Sequence, residues 1–254
     1  MSKISSSSTI KKRITRFLTS TSYWRQEISG VIDLLSPAGS VGIFGGALRD
    51  LALTGNQSFP NDVDLVVSTD DLDHLSWLVK DFQPVRNRYG GYSFRSQHWK
   101  FDVWALSQTW AIREGLIPAS DLSDLVKTTF FDWDAIVFDT KTKRLSTCDD
   151  YFEKISMGMV GINLARNPYP LGNAVRALRM YLSMRAGLSI SLGDYVLSVI
   201  DEVGMHELVD AERKGFRNLL LSETLLESLI PKIRDAVDRS VPLYVTAGEQ
   251  LSLH

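Results

Sequence analysis

Apolar residues recur at helical spacing through KKRITRFLTSTSYWRQEISGVIDLL, at Ile14, Phe17, Trp24, Ile28, Ile32 and Leu35, which predicts one or two amphipathic helices before the first strand. The preceding SKISSSST is polar and is expected to fray. After the turn SPAGS, Val41 to Phe44 reads as a short strand that runs into Gly45 and Gly46, and Ala47 to Leu53 reads as a helix. The run DVDLVV, residues 62 to 67, is a second strand. The spacing of Leu72, Leu75, Leu78 and Val79 is that of a helix, with Asp70, Asp71 and Asp73 as its N-terminal cap cluster. The chain therefore starts β-α-β-α. PVRNRYGGYSFRSQHWKFDVWAL then reads as two or more strands turning at Gly90 and Gly91. The last part of the chain, from DYVLSVIDEVGMHELV through AERKGFRNLLL to ETLLESLIPKIRDAVDR, is a series of amphipathic helices.

Two places in this pattern carry chemistry. Gly45 and Gly46 sit where a strand turns into a helix, so backbone N–H groups and the positive end of the helix dipole point at one spot, a geometry that holds phosphate. Asp62 and Asp64 are two apart on a strand, so both carboxylates leave one face while Val63 points to the core, and two carboxylates on one face can hold a divalent metal. Asp102 lies between Phe101 and Val103 in a third apolar strand. An unpaired carboxylate there is costly unless a metal or an arginine neutralises it, or unless the strand is an edge and the carboxylate faces water.

Composition narrows the setting. The chain has 254 residues, 44% hydrophobic, with 28 Lys and Arg against 30 Asp and Glu, giving a net charge of −2 and no global basic field. Lys11, Lys12, Arg13 and Arg16 form a local basic cluster that reads as a solvated helix end. A single cysteine, Cys148, excludes an internal disulfide framework, and His74, His98, His206 and His254 show no metal spacing. No apolar run reaches the roughly 18 residues of a membrane span, and the N-terminus lacks a secretory core, so a reducing, cytoplasmic location is expected.

The order GG, then Arg49 and Asp50, then DVD, then Asp102 resembles the head domain of the poly(A) polymerase and CCA-adding tRNA nucleotidyltransferase family, within the polymerase-β-type nucleotidyltransferases. TTFFDWDAIVFDTKTKRLSTCDDYFEKI, residues 128 to 155, is similar to the family's RRDFTINALAYD segment with its following hairpin and helix, and AVRALRMYLSMRAGLSIS, residues 174 to 191, to its neck motif LRAVRFAAQLGF. The resemblance spans about residues 40 to 191. It implies an α+β fold: an N-terminal helical segment at 1–38, a mixed-sheet nucleotidyltransferase head at 39–150 and a helical neck domain at 151–254. It implies two Mg2+ ions held by Asp62, Asp64 and Asp102, an NTP substrate whose triphosphate lies at Gly45 and Gly46, and a nucleotide site shaped by Arg49 and Asp50. Arg49 would pair with a carboxylate of the cluster or with phosphate. Arg176 and Arg179, three apart on one helix face, match the two arginines that reach ribose and phosphates.

The chain also departs from the family pattern. Thr128, Thr129 and Phe130 stand in place of RRD, Asp134 in place of the asparagine, and Pro170 and Asn173 at the family's DP and following arginine. Asp132 and Asp134 are additional carboxylates, open to roles as ligands, base contacts or surface charge. Nucleotidyl transfer to an RNA 3′ end, tRNA by resemblance, is the expected function. Two other readings remain: a compact toxin or defence transferase acting on tRNA, protein or a small molecule, and a nucleotide-binding pseudoenzyme or scaffold.

Overall fold

The computed structural model describes residues 6–54, 62–87 and 89–245. The chain divides into two compact units, Met1–Glu153 and Lys154–His254. The first contains helices α1 (Ser7–Leu18), α2 (Tyr23–Leu35), α3 (Gly46–Thr54), α4 (Leu72–Val79) and the short α5 (Trp110–Arg113). Its strands are β1 (Ser40–Phe44), β2 (Asp62–Ser68), β3 (Val85–Arg86), β4 (Tyr92–Arg95), β5 (Lys100–Ala105), β6 (Ile136–Asp139) and β7 (Leu145–Thr147). They form one sheet in the order β3-β4-β5-β2-β1-β6-β7. β2 and β5 run parallel and the other pairs antiparallel. A parallel pair needs a crossover. Here α4, β3 and β4 lie in the intervening chain, and the fold is mixed α+β.

Two helices precede the sheet. Of the polar run SKISSSST, residues 2–5 lie outside the described residues, while Ser7, Ser8 and Thr9 are helical, opening α1, which buries Ile10, Ile14 and Phe17. α2 buries Ile28, Val31, Ile32 and Leu35. The basic cluster on α1 is not simply solvated: Arg13 donates to the carbonyls of Leu51 and Ala52 at 3.5 and 3.4 Å. Those carbonyls belong to the last turns of α3, where the helix dipole favours a cation. Asp71 caps α4 as its position predicts, accepting from the His74 amide at 2.8 Å.

Alternation along the central strands sorts the sheet into two faces. Val63, Leu65, Val67, Phe101 and Val103 are fully buried on one of them. On the other, Val66 and Val137 pack with Leu122, Leu125 and Val126. The last three come from a 3-10 helix, Leu122–Lys127, opened by a reciprocal capping box between Asp121 and Asp124. Hydrogen bonds from Lys127 and from the Ser120 amide lower the Asp124 pKa from 3.8 to about 2. A carboxylate with a depressed folded pKa stabilises above its unfolded pKa and loses that contribution as pH falls through the folded one. Asp124→Asn should therefore unfold at a lower temperature than wild type at pH 7, with a stability loss of no more than about 1 kcal/mol because its Lys127 partner is 59% exposed. The gap should close as thermal melts are taken from about pH 4 down to pH 2.

In the second unit, α6 (Tyr151–Met157) leads in from the first, and β8 (Met159–Val160) pairs parallel with β9 (Gly187–Leu188). Around them stand α7 (Pro170–Met184), α8 (Ile190–Val203), α9 (Met205–Gly215) and α10 (Glu223–Asp238). Pro170 opens α7 at the first helical turn, where a missing N–H costs nothing. Ser189 and Ser222 cap α8 and α10 through the amides of Leu192 and Leu225.

Candidate active site

Strand register brings the predicted carboxylates together. In the parallel pair β2–β5, Asp64 stands directly opposite Asp102, and Asp62 opposite Lys100. Residues in register on parallel strands leave the same face, so Asp62, Asp64, Lys100 and Asp102 form one polar cluster. β5 lies between β4 and β2, so Asp102 is not on an edge strand, and its side chain is 14% exposed. Asp62, at the start of β2, is 61% exposed.

Lys100 is the member of this cluster that sequence reasoning missed. Its Nζ donates to Asp102 Oδ2 at 2.7 Å and lies 3.8 Å from Asp62 Oδ2. The other Asp102 oxygen accepts from the Ser93 hydroxyl, which stands opposite it on β4. Burial alone would lower the Lys100 pKa, but the Asp102 hydrogen bond and the charges of Asp102, Asp62 and Asp64 outweigh it and raise the pKa. An ammonium thus sits where three carboxylates concentrate negative charge. The alternation KFD already puts Lys100 and Asp102 on one face, a signal present in the sequence.

Among the described residues no group of three Asp, Glu, His or Cys side chains is poised at metal-binding separation. The donor set still fits Mg2+ chemistry: hard carboxylate oxygens in register, already holding a cation in Lys100. Were Mg2+ bound at those oxygens, Lys100 would compete for them, and Lys100→Met would lower the Mg2+ concentration needed for half-maximal activity. The shift should be roughly two- to fivefold, the equivalent of a partly exposed ion pair. A Mg2+ titration of activity reads it, and an increased requirement would show that Lys100 does not compete.

Beside the cluster, β1 ends at Phe44, opposite Asp64, and the chain turns at Gly45 with φ +71°, a conformation that L side chains rarely adopt. A Cβ on Gly45 would stand 3.8 Å from Asp64 Oδ2, so the turn passes next to the carboxylate. The Gly45 amide is already used, donating to the Ile136 carbonyl at 3.0 Å and extending the β1–β6 ladder. The Leu48 and Arg49 amides are also used, both donating to the Gly45 carbonyl at 3.0 and 3.1 Å, so the amides at the very start of α3, Gly46 and Ala47, are the ones the helix pattern leaves for an anion.

Arg49 lies under this turn, its guanidinium 3.5 Å from where a Gly46 Cβ would be. It pairs with Asp50 at 2.8 Å and Asp134 at 2.6 Å, and not with the Asp62–Asp64–Asp102 cluster. Burial would lower the Arg49 pKa; Asp134 and Asp50 outweigh it and raise it. Burial raises the Asp50 pKa and Asp134 adds to the rise, while Arg49 opposes it. The surface-charge role open to Asp132 and Asp134 is excluded, since they are 3% and 6% exposed. Asp134 is Arg49's buried partner. Thr129 and Phe130, which stand where the family has arginine and aspartate, are buried, and Phe130 packs edge-on against Phe131 with ring centres 4.8 Å apart.

The two neck arginines lie on α7 in the second unit, Arg176 exposed and Arg179 half-buried. Arg179 donates to the fully buried Glu212 and, at 2.8 Å, to the Asn218 carbonyl, and its guanidinium lies 4.0 Å from the Phe216 ring centre. Glu212 in turn accepts from the amides of Leu220 and Leu221.

No family model matches the sequence, and no curated protein matches it in sequence. Solved structures do match in three dimensions. A tRNA nucleotidyltransferase complexed with a primer tRNA and an incoming ATP analogue superposes with a TM-score of 0.55 at 21% identity, covering 81% of this chain and 61% of that one. The CCA-adding enzyme of Thermotoga maritima complexed with tRNA gives 0.59 at 15% identity, covering 91% and 55%. A CCA-adding enzyme with CTP gives 0.55 at 17%, covering 84% and 51%. The fold is shared with tRNA nucleotidyltransferases. The chain spans only about half to three-fifths of the length of these proteins. No helix among the described residues is long and apolar enough to cross a membrane.

Proposed function

We propose that this chain transfers a nucleoside monophosphate from an NTP to a hydroxyl at an RNA 3′ end, tRNA being the favoured acceptor. The observation that carries the reading is the register of β2 and β5, which sets Asp64 beside Asp102 with Asp62 two residues along, next to the N-terminus of α3. In this reading the amides of Gly46 and Ala47 at the start of α3 bind the triphosphate, and Arg49, held by Asp50 and Asp134, stiffens the turn above it. Asp62, Asp64 and Asp102 would hold divalent metal, which when bound supplies charge stabilisation to the attacking and leaving oxygens of an in-line displacement. The acceptor oxygen forms a bond to the α-phosphorus, the bond to the β-phosphate's bridging oxygen breaks, pyrophosphate leaves and the hydroxyl proton is released. The likeness of fold to enzymes crystallised with tRNA, CTP and an ATP analogue supports the nucleotide and the acceptor class.

A second reading, a nucleotide-binding protein without transfer, is favoured by one observation: Lys100 already neutralises the carboxylates. One experiment separates the two. The protein is incubated with Mg2+, each α-labelled NTP in turn, and total RNA or lysate. Label in RNA that depends on Asp62 and Asp64 supports the proposal, and 3′-end sequencing then names the base added. Label in protein or a small molecule moves the activity to another acceptor, and no labelled product with any NTP leaves the binding protein.

A further inference from the structure

Two residues beyond the carboxylates along both strands, about 7 Å away, the same face of the sheet turns from acidic to aromatic. Val66 follows Asp64 and Trp104 follows Asp102, and the two stand opposite each other. With Phe44, Tyr89, Thr109 and Trp110 they enclose a pocket of about 150 Å³. Its walls are fixed. The Trp104 indole lies flat against Gly91, where a Cβ would fall 2.2 Å from Nε1, so no other residue fits there without displacing the ring. The turn carrying Tyr89 is tied by Asn87 Oδ1, which accepts from the amides of Tyr89 and Gly91 at 3.0 Å each. Arg113 donates to the Tyr89 carbonyl at 3.1 Å. Within this apolar wall the Thr109 hydroxyl is buried and has no hydrogen-bond partner among the described residues. A buried hydroxyl in that state is costly until an ordered water or a ligand supplies the missing donor or acceptor.

We infer that this pocket binds a nucleobase at the 3′ end of the acceptor RNA, stacked on the aromatic walls with one polar edge atom meeting the Thr109 hydroxyl. Planar aromatic walls, a single polar handle and room for one ring system match a base better than an aliphatic or peptide side chain. Topology separates the pocket from the triphosphate. Gly45 and Gly46 follow the C-terminal end of β1, whereas Thr109 and Trp110 follow the C-terminal end of β5. β5 runs parallel to β2 and β1 antiparallel to β2, so the glycine turn lies toward the Asp62 end of β2 and Val66 and Trp104 lie on the other side of Asp64 and Asp102, with Phe44 as the pocket's near wall. An in-line displacement brings the acceptor in opposite the leaving pyrophosphate. With phosphates at the start of α3, the acceptor comes from the other side of Asp64 and Asp102, where the pocket lies. This assignment of the base to the acceptor rests on the transferase reading above; the pocket's affinity for a base does not.

The test uses Trp110→Ala, Trp110→Phe and Thr109→Val in the full chain, with thermal melts to establish folding. Binding of a short single-stranded RNA hexamer is measured by anisotropy without NTP or metal, and KM values for RNA and NTP are measured separately. Trp110→Ala should weaken hexamer binding roughly five- to hundredfold, the loss of one base stack. It should raise the RNA KM in proportion, leave the NTP KM unchanged, and be largely rescued in Trp110→Phe. Thr109→Val should weaken binding less and unequally for hexamers of different base. Weakened hexamer binding in a protein that transfers nothing supports the pocket and contradicts the transferase reading. An unchanged RNA KM and hexamer affinity overturns the pocket while leaving the reading intact, and a rise confined to the NTP KM overturns the assignment to the acceptor.

Discussion

Asp64→Asn is expected to lower nucleotidyl transfer by about a thousandfold or more while leaving the protein folded. Asp64 faces Asp102 across β2–β5, and Gly45 passes beside its Oδ2, so it stands between the phosphate-binding turn and the other carboxylates. Asparagine keeps the shape but removes the charge. The charge stabilisation lost from the transition state is several kcal/mol, and ~4 kcal/mol corresponds to about three orders of magnitude. Stability should move the other way or not at all, because removing one of several adjacent carboxylates relieves like-charge repulsion. Single-turnover transfer rates and thermal melts, measured side by side, check both halves. Loss of activity accompanied by a large drop in melting temperature would assign Asp64 to the fold instead.

Glu212→Ala should cost the second unit about 3–5 kcal/mol, the penalty for leaving a buried charge partner uncompensated. Glu212 is fully buried and accepts from Arg179 and, at 2.8–3.1 Å, from the amides of Leu220 and Leu221, tying α7 to α9 and to the segment that leads into α10. Alanine strands all of these donors at once. Glu212→Gln keeps the side-chain oxygen but not the charge and should fall between the two, at about 1–3 kcal/mol. Urea unfolding read by circular dichroism measures both variants, and a cost below about 1 kcal/mol for the alanine would show that water or a rearranged loop replaces the carboxylate.

Much of this was legible because it depends on short-range pattern. Alternation in DVDLVV put Asp62 and Asp64 on one strand face with Val63 on the other, as β2 has them, and Asp102 was legible as a carboxylate between two apolar neighbours that needs a partner. Adjacency of the two strands, with Asp64 opposite Asp102, was reached through resemblance, since no local rule says which strands pair in parallel. Partners across long separations were not legible. Arg49 finds Asp134 rather than the carboxylate cluster because α3 is packed beside the 3-10 turn at Asp132–Asp134, a tertiary fact. The aromatic pocket was hidden for the same reason: Phe44, Tyr89, Trp104 and Trp110 look like ordinary core residues until the sheet gathers them. Lys100 differs, since its place next to Asp102 follows from strand alternation alone.

In the proposed reaction the chemistry occurs at the α-phosphorus of an NTP, on a site built from Asp62, Asp64 and Asp102. Parallel reactions with α-labelled and γ-labelled NTP, RNA and Mg2+ test it most directly. The account predicts label in RNA from the α-labelled nucleotide, label in pyrophosphate from the γ-labelled one, and loss of both with Asp64→Asn. Transfer of the γ-label to RNA, or α-label transfer that survives Asp64→Asn, would contradict it.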